Sequence, residues 1–137
     1  MEFVLSENKS GVLWVTINRP EIHNAFNEKF IAELTSTFEA AALDEKVRLI
    51  VLTGAGKSFC AGADLNWMKS MVNYSMEENI ADSKKLAHLF YVINTCIKPV
   101  IGKINGHALG GGVGLVSACD YAITTTRAKF GFTETRL

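Results

Sequence analysis

Gly110-Gly111-Gly112, followed by Val113 and Gly114, stands after a β-branched run and before a short apolar segment. Glycines in that position leave backbone N–H groups unshielded at the start of a helix, where unpaired donors and the helix dipole favour an oxyanion. The same glycines also permit close packing of a helix on a strand, and the residue types fit both uses. A second small-residue stretch, Phe59-Cys60-Ala61-Gly62-Ala63-Asp64-Leu65, follows another apolar run and opens a short helix carrying Trp67 and Met68. Asp64 suits the cap of that helix, and the small residues before it let a ligand approach the backbone. Two such strand ends in successive strand–helix units set two N–H donors side by side, as the stabilisation of a developing enolate requires.

Glu134 follows Phe130-Gly131-Phe132 in an apolar, irregular segment. A partly desolvated carboxylate there would have a pKa suited to proton transfer; an exposed loop glutamate is the alternative. Other chemistries find less support. His23, His88 and His107 have no metal-ligand spacing; His88 sits in a long helix, and His107 orders its loop. Cys60, Cys96 and Cys119 are odd in number and form no C-x-x-C, so they read as small buried hydrophobes in a reducing compartment. No G-x-S-x-G elbow occurs, and a Cys60–His107 nucleophile pair has only composition behind it. Gly54-Ala55-Gly56-Lys57-Ser58 ends like a phosphate loop, but Val51 holds the place of the leading glycine. Neither Gly54-Ala55-Gly56 nor the triple glycine supplies the third glycine of a dinucleotide fingerprint.

Residues 12–17 are β-branched and aromatic, and the turn Asn18-Arg19-Pro20 closes them; they read as a strand paired with residues 3–5 across residues 8–11. From Asn27 the period changes, and Phe30, Ile31, Leu34, Phe38 and Ala41 form one helical stripe. Residues 47–52 read as a strand and 53–58 as a loop. Ser75 and Glu78 form a capping box ahead of a second stripe, Ala81, Leu86, Leu89, Phe90, Ile93 and Ile97, which Lys98-Pro99 stops. Residues 100–104 read as a strand, 113–119 as a short, fully buried helix and 121–125 as a further strand. This alternation implies an α/β fold with βαβ crossovers and a mostly parallel sheet covered on both faces.

At 137 residues the chain makes one domain at most, and 48% hydrophobic residues suffice for a core. Lys+Arg and Asp+Glu number 14 each, so no net field gathers polyanions, which argues against nucleic acid and anionic membrane as partners. The longest uncharged stretch, residues 104–119, is too short and too glycine-rich to span a bilayer. The first residues have neither secretory nor transit character, which makes a cytoplasmic location the default.

Taken together and in order, these segments resemble the crotonase family, the enoyl-CoA hydratase/isomerase superfamily. The likeness runs through Asn18-Arg19-Pro20 with His23-Asn24-Ala25-Phe26-Asn27, Val51-Leu52-Thr53-Gly54, and Ser58 to Leu65. It continues through Lys98-Pro99-Val100, Asn105-Gly106, Ala108 to Gly112, Cys119-Asp120, and Ala128-Lys129-Phe130-Gly131 with Glu134. The resemblance implies a spiral of ββα units, of which this chain would be the N-terminal part, family members continuing well past Leu137. It also implies acyl-CoA thioester substrates, no cofactor or metal beyond the CoA of the substrate itself, and trimers or paired trimers.

Carried onto this sequence, the resemblance places the oxyanion donors on the N–H groups of Ala63 and Gly111. It places CoA-lining positions at His23, Asn24 and Ala25 and at Ala61, Gly62, Ala63, Asp64 and Leu65, and the acid/base carboxylate at Glu134. One departure matters: two-glutamate hydratases carry a glutamate where this chain has Gly114. The wording Ala63-Asp64-Leu65-Asn66-Trp67-Met68 with Gly112-Val113-Gly114-Leu115-Val116 is most similar to the bacterial methylglutaconyl-CoA hydratase branch of leucine degradation. On this basis the lack of a side chain at Gly114 is expected to make room for, or to avoid repelling, a carboxylate on the acyl chain. A double-bond isomerase using Glu134 alone and a non-catalytic interaction domain are the competing expectations.

Overall fold

Ser10 and Gly11, with φ of 54° and 92°, form a two-residue turn whose left-handed conformation matches the twist of the strands it joins. That turn pairs β1 (Val4–Lys9) antiparallel with β2 (Val12–Ile17), Lys9 opposite Val12, so the first strand runs further than its apolar residues suggest. The computed structural model describes residues 2–135. After β2 the chain continues through α1 (Glu28–Leu43), β3 (Leu49–Gly54), β4 (Ser58–Cys60), α2 (Leu65–Ser70) and α3 (Met76–Asn94). It then forms β5 (Val100–Ile104), β6 (His107–Leu109), α4 (Gly111–Ala118), β7 (Tyr121–Thr124) and β8 (Phe130–Gly131).

The strands form two sheets. Five make one in the order β1-β2-β3-β5-β7, parallel except for the first pair, and three short ones make a second, all-parallel sheet in the order β4-β6-β8. Each repeat sends a longer strand to the first sheet and the next, shorter strand to the second, which is the ββα spiral. The single two-sided sheet expected from strand–helix alternation is corrected accordingly. The strands of the second sheet are three, three and two residues long, too short for a period-two pattern to register in the sequence.

Alternate residues of the five-stranded sheet, Val15, Ile17, Ile50, Leu52, Val100 and Ile104, are buried in one core with Phe30, Leu34 and Phe38 of α1 and Leu89 and Ile93 of α3. The opposite face is not covered to the same degree: Tyr121 and Ile123 are exposed, and Trp14 and Ile101 are half-buried. Lys9 and Lys103 hold their ammonium groups 6.0 and 5.4 Å from the Trp14 ring on that side.

Capping follows the sequence. The Asn27 side chain accepts from the Phe30 N–H at the start of α1, and the Ser75–Glu78 box is complete in both directions. Two helix readings change. The α3 helix ends at Asn94, four residues before Lys98-Pro99, and leaves Ile97 exposed rather than in the stripe. Only Gly112, Leu115 and Ala118 of α4 are buried, so that helix has one buried side and is not enclosed.

Candidate active site

Gly62 and Gly110 bring the ends of β4 and β6 together. Both have positive φ, 91° and 52°, and a Cβ added to Gly62 would stand 3.0 Å from the Leu109 carbonyl oxygen and 3.6 Å from the Gly111 nitrogen. No side chain fits at that crossing. The neighbouring Ala63 forms an isolated parallel bridge with Phe26: the Phe26 N–H donates to the Gly62 carbonyl at 2.8 Å, and the Asp64 N–H donates to the Phe26 carbonyl at 2.9 Å. Because successive N–H groups of an extended chain point to opposite sides, that of Ala63 faces away from Phe26. Gly111 is the first residue of α4, where no helical carbonyl can reach its N–H. Among the described residues neither N–H has a partner.

The glycine cluster serves both purposes that its composition allowed. A Cβ on Gly112 would collide with the Cys60 carbonyl oxygen, so this glycine seats α4 on β4. A Cβ on Gly111 would meet the tip of the Phe26 ring at 2.5 Å, so this glycine lets the ring lie against the donor residue. Phe26 is itself held by Phe30, stacked at 6.2 Å, and by Trp67, edge-on at 6.1 Å.

Glu134 is exposed, not partly desolvated, yet it does not stand in a remote loop: its Oε1 lies 2.8 Å from where Gly110 would carry a Cβ. It borders one cleft of about 790 Å³ that also takes in Ala61, Gly62, Ala63, Leu65 and Gly111. Phe26, Met71, Val72 and Leu86 add an apolar wall to that cleft. Two N–H donors and one carboxylate therefore share a largely apolar cavity, where electrostatic interactions are stronger than in water.

The remaining expected positions lie outside the cleft and hold it in shape. Asn24, fully buried at φ 58°, receives the Arg19 N–H on its Oδ1 and donates from Nδ2 to the carbonyls of Ala55 and Ser58. Ala25 is buried, and its carbonyl accepts from the Arg19 guanidinium at 2.5 Å. Their side chains are taken up by the fold, so any contact of this stretch with CoA falls to its backbone and to His23. His23 is exposed; its carbonyl accepts the Ala61 N–H, and its Nδ1 lies 3.1 Å from Ser58 Oγ.

Asp64 caps α2 by accepting the Asn66 N–H at 2.9 Å and pairs with the Arg19 guanidinium at 3.1 Å, both side chains nearly buried. Burial pushes its carboxyl up, but the hydrogen bonds from Asn66, Arg19 and Trp67 together outweigh burial and hold it below its ordinary value. Arg19 escaped the sequence reading, where it was only part of a turn. The signal available was an arginine between a strand and a proline.

Gly114 does not open space in the cleft. A Cβ there would stand 2.6 Å from Cζ of Phe90, so any side chain at this position would press on the α3 ring. The expectation that Gly114 makes room for a substrate carboxylate is corrected on this ground.

Thiol catalysis is disfavoured as well. Burial pushes the Cys60 thiol up to about 12, opposed weakly by a backbone hydrogen bond from Gly62, and burial with the nearby Asp120 pushes Cys119 to about 12. The His107 Nδ1 accepts the Lys129 N–H at 3.0 Å. His88 is exposed and lies 3.2 Å from Glu39.

Comparison with known proteins identifies the family and the fold. The family model described as enoyl-CoA hydratase/isomerase matches residues 7–137. The crotonyl-CoA hydratase of Syntrophomonas wolfei is 40% identical over 132 residues, covering 96% of this chain and 49% of that protein. The mitochondrial Delta(3,5)-Delta(2,4)-dienoyl-CoA isomerase of Mus musculus is 40% identical over 134 residues, covering 90% of this chain and 40% of that protein. The crystal structure of an enoyl-CoA hydratase from Shewanella pealeana superposes with a TM-score of 0.95 at 35% identity, covering 98% of this chain and 51% of that one. The chain spans about half the length of these relatives or less. By its sequence, its two-sheet spiral and its paired backbone donors, the chain belongs to the enoyl-CoA hydratase/isomerase family and has the crotonase fold.

Proposed function

We propose that the protein hydrates a 2-enoyl-CoA thioester through an enolate held by the N–H groups of Ala63 and Gly111. The observation that carries this reading is the pair of unpartnered N–H donors sharing one apolar cleft with Glu134. The thioester carbonyl oxygen accepts from both donors. Water adds to the β-carbon, giving one proton to the Glu134 carboxylate; the C=C π pair becomes the double bond between the α-carbon and the carbonyl carbon, and the C=O π pair moves to the oxygen as an enolate. The enolate collapses as its α-carbon takes the proton back from Glu134, so one carboxylate serves both steps. The donors act because the charge on the oxygen grows between substrate and enolate.

His23 and the backbone of Ala61 to Leu65 are the positions proposed to meet CoA, which is part of the substrate; the chemistry calls for no separate cofactor. A homotrimer or a dimer of trimers and a cytoplasmic location belong to the same reading. Within it, the wording of the α2 and α4 segments supports methylglutaconyl-CoA as substrate, and Lys69 is the cation lining the cleft that would meet its carboxylate.

The test is hydration of crotonyl-CoA and methylglutaconyl-CoA, followed by loss of the conjugated thioester absorbance, in wild type and Glu134→Gln. Turnover that Glu134→Gln abolishes supports the proposal; turnover that survives removes Glu134 from the chemistry. The second reading is a double-bond isomerase in which Glu134 shuttles a proton between two carbons, favoured by the absence of a side chain at Gly114. It predicts shift of the double bond of a 3-enoyl-CoA without net hydration. Absence of both activities and of acyl-CoA binding would leave the interaction-domain reading.

A further inference from the structure

His107 opens β6, the middle strand of the second sheet, and joins the two halves of the candidate site. On one side β6 pairs with β4, the strand that leads to the donor Ala63, and β6 itself leads to the donor Gly111. On its other side it pairs with β8, which leads to Glu134. The strand that carries the carboxylate is two residues long and lies at the edge of the sheet, so few backbone bonds fix it.

Burial does not pin that strand either, since Phe130 and Phe132 are 46% and 71% exposed. Glu134 is exposed too, so its place beside Gly110 is set by the backbone that delivers it. That backbone is tied to β6 by the Ala108 N–H, which donates to the Lys129 carbonyl at 3.0 Å, and by the Gly110 N–H, which donates to the Gly131 carbonyl at 2.8 Å. A further tie comes from a side chain: His107 Nδ1 accepts the Lys129 N–H at 3.0 Å. Lys129 thus gives both its backbone polar groups to β6, one to the main chain and one to the imidazole, immediately before β8 begins. Nδ1 accepts only while the ring proton sits on Nε2.

We propose that His107 is a positioning residue for Glu134: by taking the Lys129 N–H, its imidazole fixes the start of β8 and with it the distance of the carboxylate from the donors Ala63 and Gly111. The proposal rests on the reading of Glu134 as the acid/base group. His107 does not border the cleft and touches no substrate; it acts through the strand. A small displacement of the carboxylate matters because proton transfer demands hydrogen-bond reach between the reacting atoms.

The experiment uses the full-length protein and whichever of crotonyl-CoA, methylglutaconyl-CoA and a 3-enoyl-CoA it turns over fastest. His107→Leu, which removes the acceptor, is expected to lower kcat about 5-fold, the worth of one exposed hydrogen bond, with the affinity for a saturated acyl-CoA unchanged. His107→Asn, whose Oδ1 stands on the same Cγ as Nδ1, recovers most of that loss. In a Glu134→Gln background His107→Leu changes the residual rate less than about 2-fold, because the two residues act as one unit. Should His107→Leu fail to fold, His107→Ala takes its place; should the residual rate of Glu134→Gln be too low to measure, the recovery by asparagine and the split between kcat and affinity decide. An unchanged kcat in His107→Leu, a loss that asparagine does not recover, a parallel loss of acyl-CoA affinity, or an equal loss in the Glu134→Gln background overturns the proposal and leaves Glu134 in its role. Full turnover in Glu134→Gln alone, or none with any of the three thioesters, instead defeats the reading beneath it and the proposal with it.

Discussion

The Phe90 ring stands 2.6 Å from the point at which a side chain would leave Gly114, so α3, the helix that walls the cleft, closes the direction in which a side chain at this position would set out. Gly114 and Phe90 are thus one packing unit. Gly114→Glu is expected to lose about 1–3 kcal/mol of stability through overpacking, with no gain in hydration. Combining it with Phe90→Ala relieves the clash. Urea unfolding of both variants checks this: equal midpoints for Gly114→Glu and wild type would show that Phe90 yields at no cost.

Glu134→Gln keeps the side-chain volume at the edge of the cleft and removes the carboxylate that takes up and returns the proton. It is expected to lower kcat by about 10²–10⁴ while acyl-CoA affinity changes little. Turnover kinetics together with calorimetric titration of a saturated acyl-CoA separate the two quantities.

The Arg19–Asp64 pair ties the turn before α1 to the residue after the donor Ala63. Asp64→Ala removes a helix cap and strands a buried guanidinium, a loss of about 3 kcal/mol. The dependence on pH has a definite sign. The carboxyl of Asp64 is depressed below its ordinary 3.8 in the folded protein, so its contribution is complete above that value and fades as pH falls through the lower, folded value. Urea midpoints recorded between neutral pH and pH 3 should converge for wild type and Asp64→Ala toward the acid end.

Cys60 and Cys119, with thiols pushed up to about 12 by burial, are expected to resist iodoacetamide at pH 8 in the folded protein and to react once it is unfolded. Peptide mapping after labelling reads this directly. Rapid alkylation of Cys60 in the native state would reopen a thiol mechanism.

What could be read from the sequence divides along physical lines. The longer elements announce themselves: the α1 stripe from Phe30 to Ala41 is buried as its period requires, and the caps at Asn27, Asp64 and Ser75 form as their side chains dictate. The β4, β6 and β8 strands do not, because two or three residues carry no period, and Ser58 to Cys60 looks like the tail of a loop. Among site residues, Ala63, Gly111 and Glu134 converge on one cleft. Asn24 and Ala25 entered only through the family resemblance, and their part as buried supports was not legible, since it depends on Arg19 folding back onto them.

The spiral has a further property. The longer strand β7 and the short strand β8, joined by one connection, stand at the same end of their respective sheets, each with an outer edge that pairs with nothing among the described residues. Every strand pair laid down from β3 onward advances both sheets by one rung together, so the architecture grows as a screw with a fixed pitch. The two N–H groups follow neighbouring strands of the second sheet, β4 and β6, so their spacing is set by the pairing of those strands and the crossing at Gly62 rather than by the connections between the sheets.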